Sequence, residues 1–255
     1  MRYALQVQYI GKNYAGSQIQ FEKGIEIQTP TIQGELEKAI STLIFGDTEN
    51  KNRQVKTVFS GRTDRGVNSI GQVVHFDVDK SIVASKFVYQ LNEILPKDIS
   101  VSNLSEKDNK FHAQKSAKCR HYRFVFVNRK CKNAFDGDLM RVKFPIDIER
   151  MQKALNYIKG EHDFTSFKSS GTLNPSKICF IEEAVCQKDG DRVVIDIIGN
   201  RFLYNMVRTI VGTLLEIEGH NMPAEHIMQV LNACDRSKAG QTVSPYGLTL
   251  MKVEY

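Results

Sequence analysis

Seven residues, Gly61-Arg62-Thr63-Asp64-Arg65-Gly66-Val67, set one carboxylate between two guanidiniums in a run bracketed by glycines. A turn needs only a few polar residues, so two cations flanking an acid point to an anion kept ionised and aimed. That is the state a carboxylate needs to act as a nucleophile or as a base. The same run also makes an ordinary turn, because an Asp side chain bonds nearby backbone amides.

A second constellation lies further along the chain. From Lys107 to Lys132 there are nine basic residues against one acid, Asp108, with His112, His121, Tyr122 and Phe124 interleaved. Cations with aromatic faces between them are what tracking a phosphate backbone and stacking an unpaired base require. A solvated charged strand has the same composition.

The third is a single charge in an apolar setting. Phe202 to Ile217 carries Phe202, Leu203, Met206, Val207, Ile210, Val211, Leu214 and Leu215, and reads as a helix buried nearly all round. Asn205, Arg208, Thr209, Gly212 and Glu216 recur at three- and four-residue steps along one face. A buried Arg208 demands an anionic partner. Glu216, two turns away, is poorly placed, which leaves a distant acid such as Asp64, or a phosphate.

Other chemistries find less support. His75 and Asp77 share one face of the strand after the acidic turn, but one histidine with two acids is a poor metal set. No His-Glu-x-x-His pattern, no local Ser/His/Asp or Cys/His signature and no phosphate loop ending in Gly-Lys-Ser/Thr occurs, so a nucleotide cofactor is not expected. Cys119, Cys131, Cys179, Cys186 and Cys234 contain no Cys-x-x-Cys pair and read as reduced, mostly buried thiols.

The elements that must position these residues follow from the hydrophobic pattern. Tyr3 to Tyr9, Val55 to Ser60, Gln72 to Phe76 and Ile99 to Leu104 alternate as strands, with helices at Thr31 to Phe45, ended by Gly46, and at Ala84 to Leu95, ended by Pro96. After Cys119 a similar order returns. Strands are expected at His121 to Val127, Lys177 to Cys186, Val193 to Ile198 and Leu248 to Val253, with helices at Asp147 to Lys159, Phe202 to Ile217 and Ala224 to Asp235. Antiparallel connections with segregated helices make this an α+β chain in two lobes, 1–114 and 115–255. At 255 residues, 41% hydrophobic and 25% charged, it has the composition of a folded globular protein. The net charge of +6 favours polyanionic partners. The N-terminus lacks a signal-peptide core and no run is long and apolar enough to span a membrane, so a cytoplasmic location and no membrane partner are expected.

Several motifs in order resemble the TruA-type tRNA pseudouridine synthases. They are Tyr9-x-Gly11-x-x-Tyr14-x-Gly16-x-Gln18-x-Gln20, Thr31-Ile32-Gln33-Gly34-Glu35-Leu36-Glu37, Gly61-Arg62-Thr63-Asp64-x-Gly66-Val67, Gly71-Gln72-Val73-Val74-His75-Phe76, Phe111-His112-Ala113 and Ser116-Ala117-Lys118-x-x-x-Tyr122-Arg123-Phe124. Gly160-x-His162-Asp163-Phe164-Thr165-Ser166-Phe167, Asn200-x-Phe202-Leu203-Tyr204-x-Met206-Val207-Arg208 and Gly247-Leu248-x-Leu250 continue the likeness almost to the end.

The resemblance implies two ferredoxin-like (RRM-like) lobes joined into one continuous, mainly antiparallel sheet, with helices on one side, a central RNA-binding cleft, and a homodimer. It implies a tRNA partner, with uridine of the anticodon stem-loop isomerised to pseudouridine, and no cofactor or metal. Asp64 would be the essential carboxylate, by attack or by removal of a ribose proton. Arg62 would keep it anionic and help displace the target nucleotide. Tyr122 would stack on the freed uracil and serve in proton transfer, and Arg208 would pair with Asp64. Arg65, Asn68, Gln18, Gln20, His112, Lys118 and Arg123 would contact the RNA. The chain departs from the family's commoner residues at Arg65, Asn68 and Ser69 (Ala, His and Ala), at Ser17 (Trp) and at Gln114 (Arg), which alters the expected RNA-contact rim. A non-catalytic RNA-binding protein using the same residues, and a metal-dependent nuclease around Asp64, His75 and Asp77, are the rival functions.

Overall fold

The computed structural model describes residues 1–22, 25–26, 29–46, 54–169 and 176–255. It divides into two compact units, Met1–Lys118 with Leu250–Tyr255, and Cys119–Thr249. The boundary therefore falls after Lys118 instead of Gln114, and the last six residues, expected in the second lobe, fold with the first.

In the first unit β1 (Arg2–Tyr9) is followed by the short ribbon of β2 (Phe21–Glu22) and β3 (Ile25–Glu26), then α1 (Ile32–Phe45), β4 (Thr57–Phe59), β5 (Asn68–Asp77), α2 (Ala84–Ile94) and β6 (Ile99–Lys107). β1 runs antiparallel to β6 on one side and to β5 on the other, and β4 pairs antiparallel with the far end of β5. Alternation along β1 sends Tyr3, Leu5, Val7 and Tyr9 into one core with Val74 and Phe76 of β5, Leu36 and Ile40 of α1, and Phe87 and Leu91 of α2. α1 begins and ends where the sequence says. The Thr31 side chain accepts from Gly34 N at 3.1 Å, and Gly46 takes the left-handed conformation, φ 77°, that closes the helix.

β5 starts at Asn68, four residues before the expected Gln72. The polar Asn68, Ser69 and Gly71 hide a strand that makes close backbone contacts. A Cβ on Gly71 would sit 2.3 Å from Met251 O, so glycine is what lets the C-terminal strand come alongside.

In the second unit the chain forms β7 (Cys119–Asn128), β8 (Arg141–Val142), α3 (Ile148–Asn156), β9 (Gly160–Asp163), β10 (Ile178–Asp189), β11 (Arg192–Gly199), α4 (Met206–Gly219) and α5 (His226–Ala233). The sheet order is β7-β11-β10-β9, all antiparallel, with β8 parallel to β7. β10 and β11 form a hairpin, turning at Gly190 with φ 57°. α3 packs on β10, α4 on β7 and α5 on β9. Phe124, Phe126, Ile195, Ile197, Met151, Leu155, Ile210 and Leu214 are buried in this unit. The final strand, β12 (Leu248–Glu254), lies beside β5 over its part in the first unit.

α4 begins at Met206, not at Phe202. Asn205 takes the left-handed region, φ 61°, which Asn tolerates better than most residues, and its Nδ2 donates to Ser169 Oγ at 3.0 Å. The helix is otherwise buried as its composition requires. Near its end the fully buried Glu218 carboxylate accepts from Arg150 Nε at 2.7 Å and Nη2 at 2.9 Å, and from Asp147 N at 2.8 Å. That ion pair ties α3 to α4 and had no signal in the sequence.

The thiols depart from expectation. Cys179 and Cys186 are buried, and burial pushes them up to about 11 and about 12; Cys119 is half-buried, while Cys131 and Cys234 are exposed.

Candidate active site

Asp64 is half-buried on a turn whose backbone is fixed from several directions. The residue before it, Thr63, is buried. Its N–H donates to Ser17 Oγ at 2.8 Å, its carbonyl accepts from Ser17 N at 3.1 Å, and its hydroxyl meets Tyr9 Oη at 2.8 Å. Gln72 Nε2 donates to Gly61 O at 2.9 Å, and Ser60 Oγ donates to Gln72 Oε1 at 2.5 Å. After the carboxylate, Val67 N donates to Asp64 O at 3.1 Å across Gly66, whose φ of 81° glycine adopts without strain. A Cβ on Gly11 would lie 2.1 Å from Val67 O, so the loop after β1 presses directly on this turn. Burial raises the Tyr9 hydroxyl above its ordinary pKa, so it stays neutral between Thr63 and Gln72.

The two flanking arginines do not hold the acid. Both are exposed, and neither guanidinium makes a hydrogen bond or ion pair among the described residues. A turn this tight points adjacent side chains apart. Both cations stand exposed at the surface on either side of the carboxylate in sequence.

The expected RNA contacts of this unit separate into two groups. Gln18, Arg65 and Lys118 are exposed. Gln20 donates to Ala15 O at 2.7 Å, and Asn68 Oδ1 accepts from Gly11 N at 2.9 Å. His112 Nδ1 accepts from Gln114 N at 3.2 Å and Lys115 N at 3.3 Å, holding the turn that follows it. Ser17, expected at the RNA-contact rim, is fully buried.

His75 and Asp77 are engaged structurally. The buried His75 Nδ1 accepts from Ala113 N at 3.1 Å, and burial, with the charges of Arg2 and His112, lowers its pKa to about 4. Asp77 is held by Arg2 at both oxygens, 2.8 and 2.7 Å, which keeps its carboxyl below the ordinary range. Among the described residues no group of three or more His, Cys, Asp or Glu stands together as a metal set.

In the second unit Tyr122 is buried on β7, with its ring edge-on to Phe202 at 5.1 Å between centroids. Arg208 is half-buried. Its Nη1 donates to Asn205 Oδ1 at 2.7 Å and its Nε to Val243 O at 2.8 Å, so the left-handed Asn205 orients the guanidinium. Gly212, on the same helix face, receives the segment around Gln241, whose carbonyl would lie 1.7 Å from a Cβ there.

The basic run from Lys107 to Lys132 is not uniform. Arg123 pairs with Asp196, Arg129 with Asp136 and Asp191, and Arg120 Nη1 donates to Asn200 O at 2.7 Å, whereas Lys110, Lys115, Lys118, Lys130 and Lys132 are exposed. Arginines there brace the strands and lysines carry the surface charge, a division that the bidentate guanidinium favours.

Composition alone does not reveal the network of Tyr9, Ser17, Thr63 and Gln72. Its one trace in the sequence is the glycine spacing around it, Gly11 and Gly16, where a side chain would strike the backbone of the acidic turn, and Gly66, whose positive φ closes that turn.

A family model described as tRNA pseudouridine synthase matches residues 154–255. Curated relatives match over the whole chain. The tRNA pseudouridine synthase A of Brevibacillus brevis is 39% identical over 249 residues, 97% of this chain and 96% of that one. The protein of the same name from Thermoanaerobacter sp. is 37% identical over 254 residues, 98% and 97% of the two chains. That of Ehrlichia canis is 37% identical over 260 residues, 100% of both.

Proposed function

This chain belongs to the family of tRNA pseudouridine synthases, and on that premise we propose that Asp64 is the carboxylate with which it isomerises uridine to pseudouridine in the anticodon stem-loop of tRNA. The N-glycosidic bond is broken, the uracil turns, and it is rejoined to the ribose through carbon. Substrate and product are isomers, so no group donor, oxidant or reductant is needed.

The observation that carries the assignment is the setting of Asp64. It projects from a turn whose preceding residue has its N–H, carbonyl and hydroxyl all engaged, and exposed guanidiniums stand on either side of it in sequence. Binding a polyanion is opposed by a carboxylate aimed at it, so a protein that only bound RNA would gain nothing from such a residue. A carboxylate is required for attack on the ribose or for removal of its proton, and preorganisation keeps it in reach of either.

The other roles follow from the resemblance. Arg62 helps displace the target nucleotide, Tyr122 stacks on the uracil, and Arg208, oriented by Asn205, pairs with Asp64. Gln18, Arg65 and Lys118 contact the RNA. The resemblance implies RNA contacts for Gln20, Asn68, His112 and Arg123 as well; the bonds these four make within the fold favour a supporting role beneath that rim instead. The same reading takes the two units, Met1–Lys118 with Leu250–Tyr255 and Cys119–Thr249, as two ferredoxin-like lobes sharing one sheet and an RNA-binding cleft, in a cytoplasmic homodimer. The strand order β6-β1-β5-β4, with α1 and α2 as connections, supports the ferredoxin-like pattern in the first lobe. No helix among the described residues is long and apolar enough to cross a membrane.

Mapping pseudouridine in tRNA from cells with and without this protein tests the assignment. A loss confined to the anticodon arm is expected. Unchanged tRNA, or a loss elsewhere only, overturns it.

A further inference from the structure

Ser17 stands where the family tends to have tryptophan, and it is among the most completely buried polar residues of the chain. Its hydroxyl accepts from Thr63 N at 2.8 Å while its own N–H donates to Thr63 O at 3.1 Å, so one residue grips both backbone groups of the residue before Asp64. An indole offers a donor and no acceptor, so tryptophan in the same place could not take the Thr63 N–H. Ser17 is itself anchored. Its carbonyl accepts from Gln33 N at 2.9 Å in the first turn of α1, and the Gln33 side chain accepts from Ile19 N at 3.1 Å. A continuous line of hydrogen bonds therefore runs from a helix through Ser17 to the acidic turn.

We propose that Ser17 is a positioning residue for Asp64, transmitting the rigidity of α1 to the backbone from which the carboxylate projects. This rests on the role of Asp64 proposed above. Thr63 has no polar group left to adjust, and the N–H of Thr63 is too deeply placed to exchange Ser17 for bulk water. Removing the hydroxyl leaves that N–H without an acceptor and lets the turn drift. A misplacement of a fraction of an ångström lowers the rate of the chemical step while leaving the RNA-binding surface as it was.

The test is Ser17→Ala, assayed for pseudouridine formation on a tRNA substrate, with Ser41→Ala as the control. Ser41 is also buried and also accepts a backbone N–H, that of Val55 at 2.9 Å, but has no contact with the acidic turn. Ser17→Ala is expected to lose roughly tenfold or more in kcat, with KM and tRNA affinity within about twofold of wild type. Ser41→Ala is expected to lose similar thermal stability and keep its kcat. Tyr9→Phe, which removes the 2.8 Å bond to the Thr63 hydroxyl, gives a second route to the same loosening and the same fall in kcat. A Ser17→Ala enzyme with wild-type kcat, or equal kcat losses in Ser17→Ala and Ser41→Ala, overturns the inference while leaving the assigned function intact. A wild-type chain that makes no pseudouridine overturns both.

Discussion

The Arg123 guanidinium holds both oxygens of Asp196 on the neighbouring strand, Nε at 2.9 Å and Nη2 at 3.1 Å, and His121 Nε2 meets the same carboxylate at 2.6 Å. This pairing raises the Arg123 pKa, chiefly through the hydrogen bond to Asp196. A cation already neutralised this way contributes little to phosphate binding. Arg123→Ala is therefore expected to cost on the order of 1 kcal/mol in denaturant unfolding, because the pair is partly exposed. The salt dependence of tRNA affinity should not change. A flatter salt slope in this variant would show that Arg123 reaches a phosphate instead.

Lys115 and Lys118 make the opposite case. Both are exposed and outside the ion pairs that engage the arginines. Replacing both with Ala is expected to leave stability within about 0.5 kcal/mol. It should reduce the slope of log affinity against log salt by roughly 1.5, since each phosphate neutralised contributes about 0.7 to 0.9. Titrations at several salt concentrations read this directly, and an unchanged slope would make the lysines a solvated surface only.

His75 should make folding stability depend on pH. Its folded pKa is lowered from 6.5 to about 4, first by burial, and a doubly protonated ring could no longer accept from Ala113 N. The unfolded chain therefore takes up the proton at higher pH than the folded one. Stability from this group is complete above about pH 6.5, falls as pH drops towards about 4, and levels off below, with a slope of at most about 1.4 kcal/mol per pH unit. Denaturant unfolding of wild type and His75→Gln over that range checks it: the variant should lose this part of the slope, and parallel curves would exclude His75 as its source.

Gly11→Ala should damage both stability and chemistry. The added methyl would lie 2.1 Å from Val67 O, so the turn carrying Asp64 must move. A loss of roughly 2 kcal/mol or more in stability is expected, together with a large fall in kcat. Wild-type turnover in this variant would mean that the turn tolerates displacement.

Much of this was legible in the sequence where local chemistry decided the structure. Thr31 and Gly46 delimit α1 because a cap and a left-handed stop act within a few residues. The alternation of Tyr3, Leu5, Val7 and Tyr9 gives the buried face of β1 directly. What escaped depends on partners far away in sequence. Asn68 to Gly71 is strand although it looks like loop, because its polarity serves contacts with Gly11 and with the C-terminal strand. Phe202 to Asn205 looks helical and is not, because a left-handed Asn205 bonds Ser169. In the candidate site the types and order of Arg62, Asp64, Tyr122 and Arg208 were readable. That Ser17 is buried beneath the turn and that Arg123 is paired were not, since neither hydrogen bonds across a fold nor cross-strand register are written in composition.

The role proposed for Asp64 rests on the charge of its carboxylate. Asp64→Asn keeps the size and hydrogen-bonding shape of the side chain and removes its charge, so the turn and the RNA-binding surface should survive. The measurement is pseudouridine formation and tRNA affinity for the same preparation of this variant. No detectable pseudouridine is expected, with affinity within about tenfold of wild type, a difference of about 1.4 kcal/mol. Pseudouridine formation at the wild-type rate would contradict it.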